Sequence, residues 1–468
     1  MKKNKLIALL LASVMVTGTV ASCDQAAPDP TTVPETSETT ETEPSAEETA
    51  PEEIPEDLKG YKELAVANVE DKDDGKIVIY SYNSEFVGLA EKYAGITTDD
   101  YRFVQVSDID DYQERLDEAL AGGEDEPDIF ICDASFAKKY LDSGYTAAIN
   151  DLGIDYSECT DMFDYTLGFA CDGDNVIKGL AWKACPCGVF YERAVAEKYL
   201  GTSDPEELAS SFESWDAILE SAKKVSSGSD GSVKLISGYT ELYNAFLATR
   251  GKGWIVNGSL NIDSGFEKVF DYSKKLYEDD LTFADERWSG NWWDRMSDRS
   301  VVSYWGSLQF AKYQLELNPG EGATVNPTSG DWGVTSSPVD YFNGGCWVMV
   351  SKNSDKKATA AEIIRAVCIN EDNLKDMVNK GEFVNSIKLM TEASTDDKFC
   401  LEWLGGQNPY PILLECALNA DASNVTPDDE KCEIAFLAVV GAYCEGAFDT
   451  VKEAEDAFKE QMKEDGLI

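Results

Sequence analysis

The sequence predicts an α/β protein built as two lobes, and three observations lead to that prediction. The chain has 468 residues, more than one ordinary domain needs and enough for two large hydrophobic cores. From Lys76 to Leu141, short apolar runs alternate with helical patterns, which is typical of a parallel sheet covered by helices. Beyond the apolar run at 189–191 the periodicity is mostly helical, as we expect of a second, helix-rich lobe.

Three segments of the first region have the β-branched and aromatic residues that are typical of strands: 76–82, 103–106 and 127–133. A helical pattern follows each of them. Ligands of parallel α/β sheets bind beyond the carboxyl ends of the strands. We therefore expect Tyr82, Asn83 and Asp133, which stand at two such ends, to contact a ligand.

The charge and the composition exclude several classes of function. The formal net charge is −48, which argues against nucleic acid and against electrostatic adhesion to anionic lipid, since both need an excess of Lys and Arg. The chain has no histidine, the commonest general base and the commonest neutral metal ligand. We predict no catalytic residue, no metal site and no cofactor.

The amino terminus predicts export. Three lysines precede the apolar run 6–16, which is too short to span a bilayer and is typical of a signal peptide at 1–22. The small residues before Cys23 resemble a bacterial lipobox, in which the cysteine is acylated and becomes the mature amino terminus. The alternative is an ordinary signal peptide whose cleavage site lies near a cysteine by chance.

The next segment predicts a tether. Residues 24–57 contain no Lys, no Arg and no aromatic residue, so they cannot bury enough apolar surface to offset the entropy of ordering. We expect an acidic, disordered tether at 23–75, with folding starting near Lys76.

The cysteines indicate free thiols rather than a disulfide framework. With Cys23 acylated, eleven of the 12 cysteines remain, an odd number, and many occupy apolar positions where cysteine behaves as a small hydrophobic residue. The spacing of Cys185 and Cys187 is a weak metal signal, because no second pair and no histidine accompany it.

Two segments carry unusual combinations of residues. The first, GLAWKACPCGVFYERAVAEKYLGT at 179–202, places Trp182 and Lys183 before a Pro/Gly turn, where a cleft position costs less than burial in a core. The second, GDWGVTSSPVDYFNGGCWVMVSK at 330–352, contains Gly344 and Gly345, which let the backbone approach a ligand closely, and the aromatic Trp347.

These segments resemble the lobe-crossing strands of family 1 extracellular solute-binding proteins, the sugar-binding subunits of ABC importers. The resemblance implies a two-lobed, periplasmic-binding-protein-like fold in which each lobe is a sheet flanked by helices and three crossings join the lobes. It also implies that Trp182, Lys183, Gly344, Gly345 and Trp347 contact the ligand. The sequence departs from the family at Cys185, Cys187 and Cys346, where relatives more often carry a small residue such as Thr or Gly. The implied domains are lobe one at 76–181 plus 343–388 and lobe two at 182–342 plus 389–468.

A group of tryptophans in the second lobe adds weaker candidates. Five of them lie within about fifty residues, interleaved with Gly, Asn and Asp, and such a set suits the ring faces and the hydroxyls of a sugar: Trp254, Trp288, Trp292, Trp293 and Trp305. Of these we select Trp292 and Trp305. We also expect a helix at about 304–313.

The resulting hypothesis is a monomeric lipoprotein on the extracytoplasmic face of the cell membrane. It would bind a neutral oligosaccharide by hinge closure and deliver it to the membrane subunits of an ABC permease. Two alternatives belong to other classes. One is a surface glycoside hydrolase with paired carboxylates, and the other is a passive carbohydrate-binding adhesin.

Overall fold

The computed structural model describes residues 60–62, 64–72, 74–123, 125–316 and 328–468. The predicted signal peptide, the predicted acylation site Cys23 and the tether up to residue 59 lie outside the described residues. Within the described ranges, no helix combines the length and the apolar character that a membrane span needs.

The strands form two main sheets and one small hairpin. The strands of the described residues are β1 (Ile77–Ser81), β2 (Tyr101–Gln105), β3 (Ile129–Asp133), β4 (Leu180–Ala181), β5 (Cys187–Glu192), β6 (Ile255–Val256), β7 (Ser259–Leu260), β8 (Ser303–Ser307), β9 (Trp332–Thr335) and β10 (Cys346–Val350). The five-stranded sheet of lobe one has the order β2-β1-β3-β10-β4, and the three-stranded sheet of lobe two has the order β8-β5-β9. The predicted fold class, α/β with a sheet in each lobe, is confirmed.

Helices cover both sheets. The α-helices of the described residues are α1 (Glu85–Tyr93), α2 (Ile109–Leu120), α3 (Ala134–Leu141), α4 (Asp164–Phe169), α5 (Arg193–Leu200), α6 (Pro205–Leu208), α7 (Trp215–Gly228), α8 (Tyr243–Leu247), α9 (Ser264–Glu278), α10 (Gly290–Asp298), α11 (Leu308–Ala311), α12 (Lys357–Ile364), α13 (Glu371–Asn379), α14 (Ile387–Ser394), α15 (Tyr410–Asn419), α16 (Asp429–Cys444) and α17 (Val451–Glu464). Strand β5 has buried side chains on both faces, since Val189 belongs to one apolar cluster and Phe190 to the other.

Two expectations about local structure need correction. The helix expected at about 304–313 starts later, at Leu308, with α11 followed by a π-helical turn at Lys312–Glu316. The residues before it form strand β8, because the segment SYWGS pairs antiparallel with β5 and that pairing overrides helical periodicity. The folded region also starts earlier than Lys76. Within the predicted tether, the amide of Ala67 donates to the carbonyl of Asn150 at 2.9 Å, and Asp71 accepts hydrogen bonds from the first turn of α12.

The three chain crossings between the lobes bond to one another. The first runs between β4 and β5 and the second between β9 and β10; isolated bridges join Pro186 to Phe342, and Lys183 to Val384 on the third crossing. The buried side chain of Asn385 accepts from the Phe163 amide at 3.1 Å and donates to the Ala181 carbonyl at 2.9 Å. The crossings therefore form one hydrogen-bonded junction rather than three separate linkers.

An ion-pair network strengthens the same junction. The ammonium of Lys183, 3% exposed, lies 2.5 Å from the carboxylate of Glu85 and 3.3 Å from that of Glu382, which also binds Lys312 at 2.8 Å. Burial acts to lower the pKa of Lys183, but the two carboxylates more than offset it and raise that pKa. The expectation that Lys183 is too costly to bury is therefore wrong, because its charge is neutralised within the junction.

We predict that Asn385→Ala lowers the free energy of unfolding by about 2–4 kcal/mol, because it leaves a buried amide and a buried carbonyl without partners. Urea unfolding followed by tryptophan fluorescence measures the effect. Asn291→Ala, at an exposed position of α10, is the control and should stay within about 0.5 kcal/mol. Equal losses in both variants would show that the junction does not depend on Asn385.

We predict that Lys183→Met lowers the free energy of unfolding by about 3–5 kcal/mol, since Glu85 and the buried Glu382 lose a shared counter-charge. The matched control is Lys388→Met, which removes an exposed partner of Glu371 and should unfold close to the wild type. The two variants are compared by the same urea titration. A loss for Lys183→Met no larger than that of its control would contradict a structural role for the network.

Candidate functional site

The register of the first sheet brings three predicted segments to one edge. Strand β3 pairs parallel with β1 and antiparallel with β10, so the carboxyl ends of β1 and β3 meet the amino-terminal end of β10. There Asp133 pairs with Cys346, and the hydroxyl of Tyr82 lies 2.7 Å from the Cys346 sulfur. The amide of Ala134 donates to the carbonyl of Gly345 at 2.9 Å. This edge is the lobe-one wall of the cleft between the lobes.

The polar groups of this wall are held in fixed orientations. The carboxylate of Asp133 caps α3 by accepting from the amide of Ser135 at 3.0 Å and from its hydroxyl at 2.9 Å, while burial raises the pKa of Asp133. Burial, and then the charges at Cys346 and Asp133, raise the pKa of Tyr82, so its hydroxyl stays protonated and can donate. Asn83 accepts from the amide of Glu85 at 3.1 Å and thereby fixes the start of α1.

Gly344 and Gly345 have a backbone conformation that other residues rarely adopt. Their φ angles are +82° and +101°, in the left-handed region that favours glycine. A Cβ atom added at Gly345 would lie 3.4 Å from the ring of Trp347 and 3.6 Å from the sulfur of Cys185. A Cβ atom at Gly344 would meet nothing within 4 Å, so the left-handed backbone rather than lack of space favours glycine at both positions.

The two tryptophans of the crossings are buried, each 1% exposed. The ring of Trp182 packs on Phe86 with 5.6 Å between centroids. The ring of Trp347 stacks on Phe169 at 4.1 Å, and its Nε1 donates to the carbonyl of Thr166 at 3.1 Å. The expectation that a cleft position suits Trp182 better than burial is wrong, because its ring is enclosed. Ligand contact by either residue stays a prediction.

The two weaker tryptophan candidates are also buried in the second lobe. The Nε1 of Trp292 donates to the carboxylate of Glu241, and its ring lies 5.5 Å from that of Tyr304. Trp305 packs edge-on against Phe212 at 6.0 Å. Both rings are enclosed in a core, and contact of either residue with a ligand stays a prediction.

Trp288 was counted in the tryptophan cluster but not selected, and it is 44% exposed. Its ring lies under the guanidinium of Arg287 at 5.1 Å and beside Phe310 at 5.8 Å. The residue adopts φ +71°, directly before the helix cap Ser289. Periodicity could not separate this exposed ring from its buried neighbours, because only the tertiary packing of α10 decides which ring is covered.

A cavity of about 180 Å³ lies between the lobes, and it shares Asp133 and Gly344 with the predicted set. Its lobe-one side is the start of α3 together with Phe169, and its lobe-two side is formed by α8, the loop after it and the start of α16. The lining residues that sequence reasoning missed are mostly polar: Ser135, Lys138, Asn244, Arg250, Asn343, Asp421, Asn424, Thr426, Asp429, Glu430 and Glu433. They belong to no motif, since segments far apart in sequence supply them.

The cavity offers hydrogen-bond donors and acceptors beside aromatic surface. Asparagine amides, a guanidinium and carboxylates line it together with Phe169, Tyr341 and Phe342. Such a lining suits a small polar ligand with apolar faces.

No group of three or more His, Cys, Asp or Glu residues within the described ranges is placed to hold a metal ion. The eleven cysteines of these ranges are all unpaired, and ten of them are buried.

Comparisons with known proteins give a family and a fold. A family model described as "Bacterial extracellular solute-binding protein" matches residues 89–399, about two thirds of the chain. A search of the curated proteins found no match.

Many solved structures have the same fold. A crystal structure of an extracellular solute-binding protein of family 1 is 17% identical, with a TM-score of 0.70 over 83% of this chain and 99% of that chain. The ABC transporter associated binding protein from B. animalis subsp. lactis Bl-04, in complex with β-1,6-galactobiose, is 19% identical, with a TM-score of 0.64 over 84% and 99%. The galacto-N-biose-/lacto-N-biose I-binding protein from Bifidobacterium longum, in complex with lacto-N-biose, is 17% identical, with a TM-score of 0.63 over 84% and 99%. These likenesses concern the fold, and together with the family match they show that this chain belongs to the bacterial extracellular solute-binding proteins.

Proposed function

We propose that this protein captures a neutral saccharide between its lobes and delivers it to the membrane subunits of an ABC permease. The observation that carries the proposal is the polar cavity whose lining comes from both lobes. A ligand that contacts both walls stabilises the closed arrangement more than the open one, which is the requirement for capture by hinge closure.

The chemistry of the cavity favours a saccharide over other small solutes. Sugar hydroxyls each donate and accept a hydrogen bond. The cavity presents amides, which do both, carboxylates, which accept, and a guanidinium, which donates. The rings of Phe169 and Phe342 add surface for the C–H face of a sugar. Two solved structures of the same fold hold β-1,6-galactobiose and lacto-N-biose, which supports this class of ligand.

The lobes already touch beside the cavity. The side-chain amide of Gln113 on α2 donates to the carboxylate of Glu430 on α16 at 2.8 Å. A contact of this kind adds to the free energy of closure when a ligand brings the two helices together. The junction of crossings described above leaves rotation about a few residues as the motion that opens the cavity.

We also propose that the protein is anchored at the cell surface through its amino terminus. Acylation at Cys23 would hold the monomeric protein on the extracytoplasmic face of the membrane, because two or more acyl chains anchor a protein durably. The acidic segment after Cys23 would give the lobes reach toward the permease. We infer that the protein binds and releases its ligand chemically unchanged, as a carrier does.

We predict that isothermal titration calorimetry with a sugar panel finds at least one neutral ligand with a dissociation constant on the order of micromolar, about −8 kcal/mol. The panel contains galactose, glucose, tagatose, β-1,6-galactobiose and lacto-N-biose, with glucuronate as the anionic competitor. Hydroxyl hydrogen bonds and ring contacts carry no net charge, so the affinity should barely change between low and high salt. Chromatography of the same samples should recover the sugar uncleaved.

Glucuronate that binds more tightly than every neutral sugar, or an affinity that falls steeply with salt, would contradict the neutral ligand. Cleavage of a disaccharide would favour the hydrolase instead. Hinge closure is tested on the same samples by small-angle scattering, where saturating sugar should reduce the radius of gyration.

We predict that Cys23→Ala releases the exported protein into the medium, because the variant lacks the thiol that would be acylated. Cell fractionation and immunoblotting measure the distribution between membrane and medium. Cys400→Ala, at a partly exposed cysteine of the folded region, is the control and should stay with the membrane. A Cys23→Ala protein that still fractionates with membranes would rule out this anchor.

A further inference from the structure

At the lobe-two side of the cavity, two charged groups have unused hydrogen-bonding capacity. Arg250 is 5% exposed, and its Nη1 has no hydrogen-bond partner among the residues that the structure describes. Glu433 also lines the cavity, and within the same ranges no hydrogen bond or ion pair joins its carboxylate to another side chain. A buried donor without a partner is costly, so the Nη1 of Arg250 indicates a place for a ligand that can also reach Glu433.

The guanidinium of Arg250 is held rigidly by its other contacts. Its Nη2 binds the carboxylate of Asp429, and the backbone carbonyl of Arg250 accepts from the amide of Asn424 at 3.0 Å. Asp429 in turn accepts from the Thr426 hydroxyl at 2.6 Å. Because the guanidinium is planar, fixing Nη2 also fixes the direction of Nη1. The free N–H groups of Arg250 are therefore oriented before any ligand arrives.

We propose that Arg250 and Glu433 bind neighbouring hydroxyl groups of a single neutral sugar ring, with Arg250 donating to one hydroxyl and Glu433 accepting from the other. This inference rests on the function proposed above and names the residues that select the ligand. The cavity of about 180 Å³ is smaller than the roughly 300–1,000 Å³ of sites for drug-sized ligands, so it suits one ring rather than a chain of rings.

The charges of the cavity exclude the two ionic alternatives. Five carboxylates line it against Lys138 and Arg250, so an anionic sugar would be repelled. An ammonium group would be attracted, but it has no acceptor to offer the Nη1 of Arg250. A hydroxyl group both donates and accepts, and it satisfies both residues without adding charge.

The protonation of Glu433 makes the inference testable on the unmodified protein. Burial, and then the charge of Asp429, raise the pKa of Glu433 to about 7. The charged or titratable groups around it are Asp429 and Glu430 on its own helix, Tyr243 on α8, Arg250 after α8, Arg287 before α10, and Lys138, Asp133 and Asp421 on the other cavity walls. Only the ionised carboxylate accepts from a hydroxyl with both of its oxygens, so binding should strengthen as the pH rises through about 7.

The experiment is calorimetric titration of the full folded protein with the neutral sugar of the panel that binds most tightly. At about pH 6 roughly one tenth of Glu433 is ionised, so the affinity should be about tenfold weaker than at about pH 8. Glu433→Gln should weaken binding at about pH 8 and abolish this pH dependence. Glu445→Gln, at an exposed position at the end of the same helix, is the matched control and should behave as the wild type.

Arg250→Lys tests the other half of the pair. Lysine can keep an ion pair with Asp429, but it lacks the second arm of the guanidinium, so we expect at least tenfold weaker binding with an unchanged midpoint of thermal unfolding. Glucosamine serves as the cationic competitor. Wild-type-like affinity in both Arg250→Lys and Glu433→Gln, or glucosamine outcompeting the neutral sugars, would overturn this inference while leaving saccharide binding intact. A wild type that binds no sugar of the panel would instead overturn the proposed function.

Discussion

The structure depends above all on the hydrogen-bonded junction where the three crossings meet. Asn385 links the end of β4 to the start of α4, and Lys183 links the first crossing to carboxylates of α1 and of the third crossing. These groups are buried, so each bond is made in a medium where a missing partner is expensive. Both lobes therefore keep a fixed pivot, and the cleft walls can face each other without a long flexible linker.

The junction also explains why the cleft has polar walls. The crossings leave the first sheet at the carboxyl end of β4 and return at the amino-terminal end of β10, beside the carboxyl end of β3. The strand ends at this edge place backbone groups, and helix-capping side chains such as Asp133, next to the second lobe. The parallel part of the sheet makes this edge the natural ligand side. The site thus follows from the topology rather than from a local motif.

Sequence reasoning succeeded where a local pattern has one structural meaning. The strand endings at Tyr82 and Asp133 lie where they were expected, because period-two runs are local signals. It failed for Trp182 and Lys183, since the cost of burying them depends on partners that are distant in sequence, Phe86 and Glu382. Glu433 gave no signal, because a single charged residue on a helix is ordinary until folding places it in a cavity, and no motif in the sequence places Arg250 there.

Lys183 and Glu433 respond differently to pH, although neighbouring carboxylates raise the pKa of both groups. In a chain with a net charge of −48, a buried cation lies among carboxylates that favour its protonated form, as the raised pKa of Lys183 shows. Burial, and then the charge of Asp429, raise the pKa of the Glu433 carboxyl to about 7, so this group also favours its protonated form. The junction is therefore insensitive to pH in the neutral range, while the cavity is not. Neighbouring carboxylates thus keep Lys183 charged in the junction, while burial and the charge of Asp429 make Glu433 a cavity group that titrates near neutral pH.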